Sequence, residues 1–236
     1  MPVHHGYMTT HSESRSTRAA GILFAAAAVV LLVTEAVAAS AFPGYSYVDN
    51  YVSDLGVPDV GQFEGRGIDS PLAWVMNAGF VAQGPLMLGG MIAAFRAMGK
   101  GRSSWVLVIL AAVFAAGFIL ISSVHGSEQA EANGTVVFHF LGGGLLALAG
   151  NAILIVSGIA AGRFGAPKWL RAISIALGIF GIAALALLTI DKGNTDISIL
   201  GEGALERGAL YAIVLWEVLA AASLIRSSTQ HSGIAQ

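Results

Sequence analysis

Residues 105–124 read WVLVILAAVFAAGFILISSV, twenty positions without a single charge. The hydrocarbon core of a bilayer is about 30 Å thick, and a helix needs about 20 apolar residues to cross it. The run is continuous rather than alternating, and it is too long for a barrel strand, so it predicts a transmembrane helix. Five more such runs lie around it, at roughly 19–42, 71–95, 135–162, 172–190 and 207–225. The expected fold is all-α: a polytopic membrane helix bundle of six transmembrane helices over residues 19–226. Residues 1–18, with His4, His5 and His11, read as a disordered cytoplasmic tail, and 227–236 as a second tail.

Composition points the same way. Of the 236 residues, 56% are hydrophobic and only 11% charged, and the mean hydropathy is +0.74. A soluble domain carries about 25% charged residues, so most of this surface is expected to meet the lipid bilayer, as in a multi-pass protein of the plasma membrane. A net charge of −2 excludes the basic surface that nucleic-acid binding requires. With no cysteine there is no disulfide, no zinc–thiolate site and no thiol nucleophile. The 30 glycines suit a membrane bundle, where small residues let helix backbones approach.

Basic residues set the expected orientation. Arg15 and Arg18 precede span one; Arg96, Lys100 and Arg102 separate spans two and three; Arg163, Lys168 and Arg171 separate four and five; Arg226 follows six. Nine of the 12 basic residues therefore share one side, which predicts that both termini are cytoplasmic. Arg66, Lys192 and Arg207 fall outside, together with Asp49, Asp54, Asp59, Glu64, Asp69, Glu128, Glu131, Asp191, Asp196, Glu202 and Glu206. The topology rule alone leaves acids there, so acidity by itself marks no site. The long outer connections 43–70 and 191–206 are the stronger signal. At the amino terminus, Arg15, Arg18 and the small residues Ala36-Val37-Ala38 or Ala39-Ser40-Ala41 also resemble a cleavable signal peptide. The apolar run exceeds signal length and Glu35 interrupts its end, which favours an uncleaved helix.

Local chemistry adds detail. Ser70-Pro71 reads as an N-cap and first helical residue, and Pro85 predicts a kink in span two. In YVSDLGVP (51–58), Ser53 and Asp54 are expected to bond backbone amides in a turn, Gly56 to take a positive φ, and Pro58 to block helix. Glu35, Asn77 and Glu217 are polar groups within spans, where a functional role is the default hypothesis. The structural alternative is a neutral Glu bonded to another helix through Asn77, Gln83 or Asn151. His125 ends span three and His139 enters span four, both near the outer face. Imidazole suits acid–base or metal chemistry, but no HxxxH or HExxH spacing occurs and carboxylates such as Asp54 or Asp191 would have to complete a site, so no metal is expected. Glu206, Arg207 and Tyr211 sit at the expected boundary of span six, where Arg207 is able to fork onto a lipid phosphate or onto Asp54. Trp216 lies too deep for an interfacial anchor and is expected to pack.

Tyr51-Val52-Ser53-Asp54-Leu55-Gly56 after the first helix, His139 in FHFLGGG, and Gly203, Glu206, Arg207 and Trp216 near the end together resemble the bacterial membrane-protein family catalogued as domain of unknown function 998, over roughly 18–226. The family often has Phe-Pro-x-Asp after span three; here Ser123-Val124-His125-Gly126 stands in that place. The S-D-x-G element is also similar to one in DRAM/Sfk1-type membrane proteins, and ceramidase-like membrane hydrolases gather Ser, Asp and His at one membrane face, with an HxxxH pair missing here. The resemblance implies a fold but no assigned activity, cofactor or protein partner. Three readings follow. Ser53, Asp54, His125, His139 and Asp191 converge on a lipid head group that is bound or processed; Glu35 and Glu217 serve a small-solute or proton-coupled transporter; or the motif locks the loops of a structural or partner-binding protein without turnover.

Overall fold

A computed structural model describes residues 4–98, 101–164, 166–192 and 200–233. Lys100 and Asp196 lie outside the described residues, as do the side chains of His4, His5, His11 and Arg163. The helices are α1 (His4–Ala41), α2 (Ala73–Met98), α3 (Arg102–Ser123), the short α4 (Glu128–Ala132), α5 (Val136–Ala160), α6 (Lys168–Lys192) and α7 (Glu202–Gly233). Six of them are long and apolar enough to cross a membrane. An even number of crossings returns both chain ends to the same face.

The six long helices pack as a ring in sequence order: α1 on α2, α2 on α3, α3 on α5, α5 on α6, α6 on α7, and α7 back onto α1. Phe24, Leu31, Met76, Phe80, Met87, Phe114, Phe118 and Ile153 fill its interior. Outward-facing apolar side chains such as Ile109, Phe180 and Ile159 stay exposed, which is what a lipid-facing surface requires. Close approach depends on glycine at the α3–α5 crossing. A Cβ on Gly117 would lie 2.7 Å from the Gly142 carbonyl oxygen, so only the small residue admits the packing.

Several expectations are corrected. α1 begins at His4 rather than at residue 19, and α7 continues to Gly233. No proline interrupts either flank, so a helix nucleated in the span propagates at little cost, and the Ser14 hydroxyl donates to the Ser228 carbonyl (3.3 Å) between them. α7 starts at Glu202, directly after Gly201 with its φ of +77°, so Glu206 and Arg207 sit a turn inside the helix. Ser70 does not cap α2: its hydroxyl donates to the Leu55 carbonyl (2.7 Å). Pro85 lies inside α2 as expected. Trp216 packs as expected, edge-on to Phe24 at 5.3 Å.

The connection from α1 to α2 is folded, not open. Residues 53–56 form one 3₁₀ turn, and β1 (Gly61–Phe63) pairs antiparallel with β2 (Arg66–Ile68). The two-residue link Glu64-Gly65 has φ of +48° and +77°, the positive pair that a type I′ hairpin turn needs. Val57, Phe63 and Ile68 bury together against Val136 of α5. Opposite the hairpin, α4 is capped by Ser127, whose hydroxyl accepts from the Ala130 N–H (3.3 Å). These pieces make a cap over one end of the ring, called the cap face below.

Candidate functional site at the cap face

Asp54 is 2% exposed, so its charge demands partners. Its Oδ2 accepts from the Tyr51 N–H (3.0 Å), the Asn50 amide (3.3 Å) and Arg66 Nε (2.9 Å). Arg66 also reaches Glu202 (3.2 Å) and Glu64 (3.3 Å) and lies 4.0 Å from the Tyr51 ring centre. Burial alone would push Arg66 down, but the bond and charge of Asp54 hold it above the usual guanidinium range. The Tyr51 hydroxyl donates to Glu202 (2.5 Å), and burial first, then that carboxylate, pushes its pKa well up. Asp54 thus pairs with Arg66, not Arg207, because the hairpin folds Arg66 back over the turn. Gly56 does not take a positive φ; it is required by close approach, since a Cβ there would meet Asn77 Oδ1 at 2.7 Å.

Arg207 belongs to a second network. Its guanidinium holds Glu35 (2.9 Å) and donates to the carbonyls of Tyr47 (2.8 Å), Asn50 (2.8 Å) and Gly203 (3.1 Å) and to the Tyr45 hydroxyl. Tyr211 donates to the other Glu35 oxygen (2.8 Å). Every donor face of the arginine is used, and the pair joins α1, α7 and the loop between α1 and the 3₁₀ turn. Glu217 lies ten residues farther along α7, about 15 Å by helix rise, and accepts from Gln83 Nε2 at 2.8 Å. Both are fully buried, and Gln83 Oε1 and Glu217 Oε2 carry no partner. The two intramembrane acids therefore stand on separate networks, and the interhelical Glu–Gln bond expected for Glu217 is present.

The two histidines bond to different partners. Asn77 Nδ2 donates to the Gly56 carbonyl (2.7 Å) and faces His125 Nε2 at 3.1 Å. The carbonyl accepts only, so the nitrogen is the amide donor and His125 must offer a lone pair. Burial lowers the His125 pKa below its ordinary 6.5, against opposing contributions from Asp59 and the Ser122 backbone. Because the folded pKa is depressed, this contribution to stability is complete above about pH 6.5 and is lost as pH falls below it. Unfolding in detergent should show wild-type stability declining as pH falls below about 6.5, with that decline reduced in His125→Gln. An unchanged profile in the variant would refute the assignment. His139 Nδ1 lies 2.8 Å from the Val124 carbonyl, so that nitrogen carries the hydrogen.

Beneath the cap lies a crevice of about 450 Å³, within the range of small-molecule sites, about 300–1,000 Å³. α5, α6 and α7 wall it, Phe80 and Phe118 form its floor, and Tyr51 to Ser53 with Phe63 and Glu64 form its roof. Two wall residues, Phe140 and Leu148, are 45% and 52% exposed, so the crevice reaches the lipid-facing surface. Gly143 and Gly144 line it and have open space where a side chain would stand. Ser53, Glu64, His139, Lys192 and Glu206 bring polar groups to its walls. Of the residues expected to converge, Ser53 and His139 do so; Asp54, His125 and Asp191 are not on its wall. A second cavity of about 510 Å³ lies toward the opposite face, and along α2 Gln83 falls between the residues lining the two. Among the described residues, no group of three or more His, Asp or Glu is placed to hold a metal ion.

Sequence reasoning missed Tyr51, Arg66, Glu202, Lys192 and the hairpin as parts of the site. One signal was available: Arg66, Lys192 and Arg207 are the three basic residues outside the basic side, and each is held in an ion pair. A family model described as "Protein of unknown function (DUF998)" matches residues 24–223. No curated protein and no solved structure matches the chain.

Proposed function

The chain belongs to the DUF998 family of proteins of unknown function, and from the cap-face geometry we propose that it binds a membrane lipid in the crevice. The observation that carries this reading is the shape and polarity of that space. Its depth is apolar, with Leu146, Leu185 and Leu210 on the walls, and its mouth holds Ser53, Glu64 and Lys192 at the level where helices end. A lipid has the same division, with acyl chain below and head group above. The bare backbone at Gly143-Gly144 widens the space on the lipid-facing side without exposing unpaired groups, since helical N–H and C=O bond internally. The charge rule, with nine basic residues on the opposite side, supports placing this mouth in the outer leaflet.

Gly143→Leu tests the reading. A Cβ at Gly143 meets nothing within 4 Å, so the side chain grows into the crevice without disturbing helix packing. Wild-type protein purified in mild detergent should retain lipid detectable by native mass spectrometry, and the variant should lose most of it at unchanged thermal stability. Equal retention by both proteins would discard the proposal.

A further inference from the structure

The crevice contains one carboxylate that no cation bridges. Glu206 lines it, and its Oε2 accepts from the Val52 N–H. The three basic residues of the cap face are committed elsewhere: Arg66 to Asp54, Glu64 and Glu202, Lys192 to Glu64, and Arg207 to Glu35. Among the described residues none forms an ion pair with Glu206. A carboxylate inside a mostly apolar space is costly unless a counter-charge reaches it, and here the nearest protein charge, the guanidinium of Arg207, acts on it from a distance while bonded to Glu35.

The same mouth displays the chemistry it accepts. The Lys192 ammonium lies 2.8 and 2.9 Å from the two Glu64 oxygens, 5.0 Å from the Tyr51 ring centre and 4.9 Å from that of Phe140. An ammonium held by a carboxylate and two aromatic faces is a cation–π cage. Lys192 fills that cage at the rim, and Glu206 lines the same crevice with its carboxylate bonded to Val52 in the roof.

Resting on the lipid-binding reading above, we infer that the crevice selects lipids whose head group carries an ammonium, with that ammonium set against Glu206. Phosphatidylethanolamine and phosphatidylcholine belong to this class; phosphatidylglycerol, with a phosphate but no cation, does not.

The test compares purified full-length protein titrated with dioleoyl phosphatidylethanolamine and with dioleoyl phosphatidylglycerol, bound fractions being read by native mass spectrometry. Wild type should prefer the ethanolamine lipid about tenfold, the ratio given by one desolvated cation contact of ordinary strength. Glu206→Gln keeps the size and the acceptor for the Val52 N–H but removes the charge, and should bind both lipids alike. Equal wild-type affinities, a preference for the glycerol lipid, or an unchanged preference in Glu206→Gln would each overturn the ammonium assignment and leave lipid binding standing. Binding of neither lipid by wild type would overturn lipid binding itself, so the two failures are distinguishable without relying on the variant.

Discussion

Arg207→Leu should destabilise the protein by about 3–5 kcal/mol, the usual consequence of removing one partner from a buried ion pair. The substitution strands Glu35, 1% exposed, with only the Tyr211 hydroxyl as a donor. It also deprives the carbonyls of Tyr47, Asn50 and Gly203 of the guanidinium that serves all three. Unfolding followed by tryptophan fluorescence in mixed micelles would measure the change. Glu35→Gln combined with Arg207→Leu should recover part of the loss, because the uncompensated charge is then gone. If the single Arg207 variant were within 1 kcal/mol of wild type, the pair would not be the closure of the ring inferred from its position between α1 and α7.

Asp54→Ala is expected to cost about 3 kcal/mol, the lower end of the same range, because Arg66 keeps Glu64 and Glu202 while losing its closest partner. Its distinguishing effect is local. Asp54 fixes the Tyr51 amide and Arg66 together, and Arg66 is the first residue of β2, so the hairpin loses its anchor to the 3₁₀ turn. Hydrogen exchange should accelerate across Gly61–Ile68 while the interiors of α3 and α5 stay protected. Asp54→Asn, which preserves an oxygen for the Tyr51 N–H, should produce a smaller acceleration. Uniform acceleration over the bundle would instead mean that the cap and the ring unfold as one unit.

The six long helices were legible because hydropathy reports burial in lipid directly, helix by helix. Residues 105–124 alone sufficed for α3. The same reading gave Trp216 as a packing residue and Glu217 as a partner for a polar side chain on another helix. What it did not yield is pairing. Three cations and many acids share one side, and nothing local to Asp54 says that Arg66, 12 residues away, wins over Arg207. Nor does anything near Arg207 point to Glu35, 172 residues earlier. The hairpin was missed because strands of three residues carry almost no periodic signal. Its one mark was Glu64-Gly65, a dipeptide whose turn geometry depends on a glycine. Asp54, His125 and Asp191 were gathered by membrane face, a criterion too coarse to separate residues on a crevice wall from neighbours that face elsewhere.

The closed, sequence-ordered ring has a consequence for how the protein is made. Each span up to α6 finds its neighbour as soon as the next one emerges, so assembly proceeds by local steps with small loop-closure penalties. The seam between α1 and α7 is different: α1 enters the bilayer carrying Glu35, and the arginine that neutralises it is synthesised 172 residues later. At about 5–20 residues per second, that carboxylate waits on the order of ten seconds or more for its counter-charge. A chain halted before Arg207 holds in its first span an acid whose guanidinium partner has not yet been made.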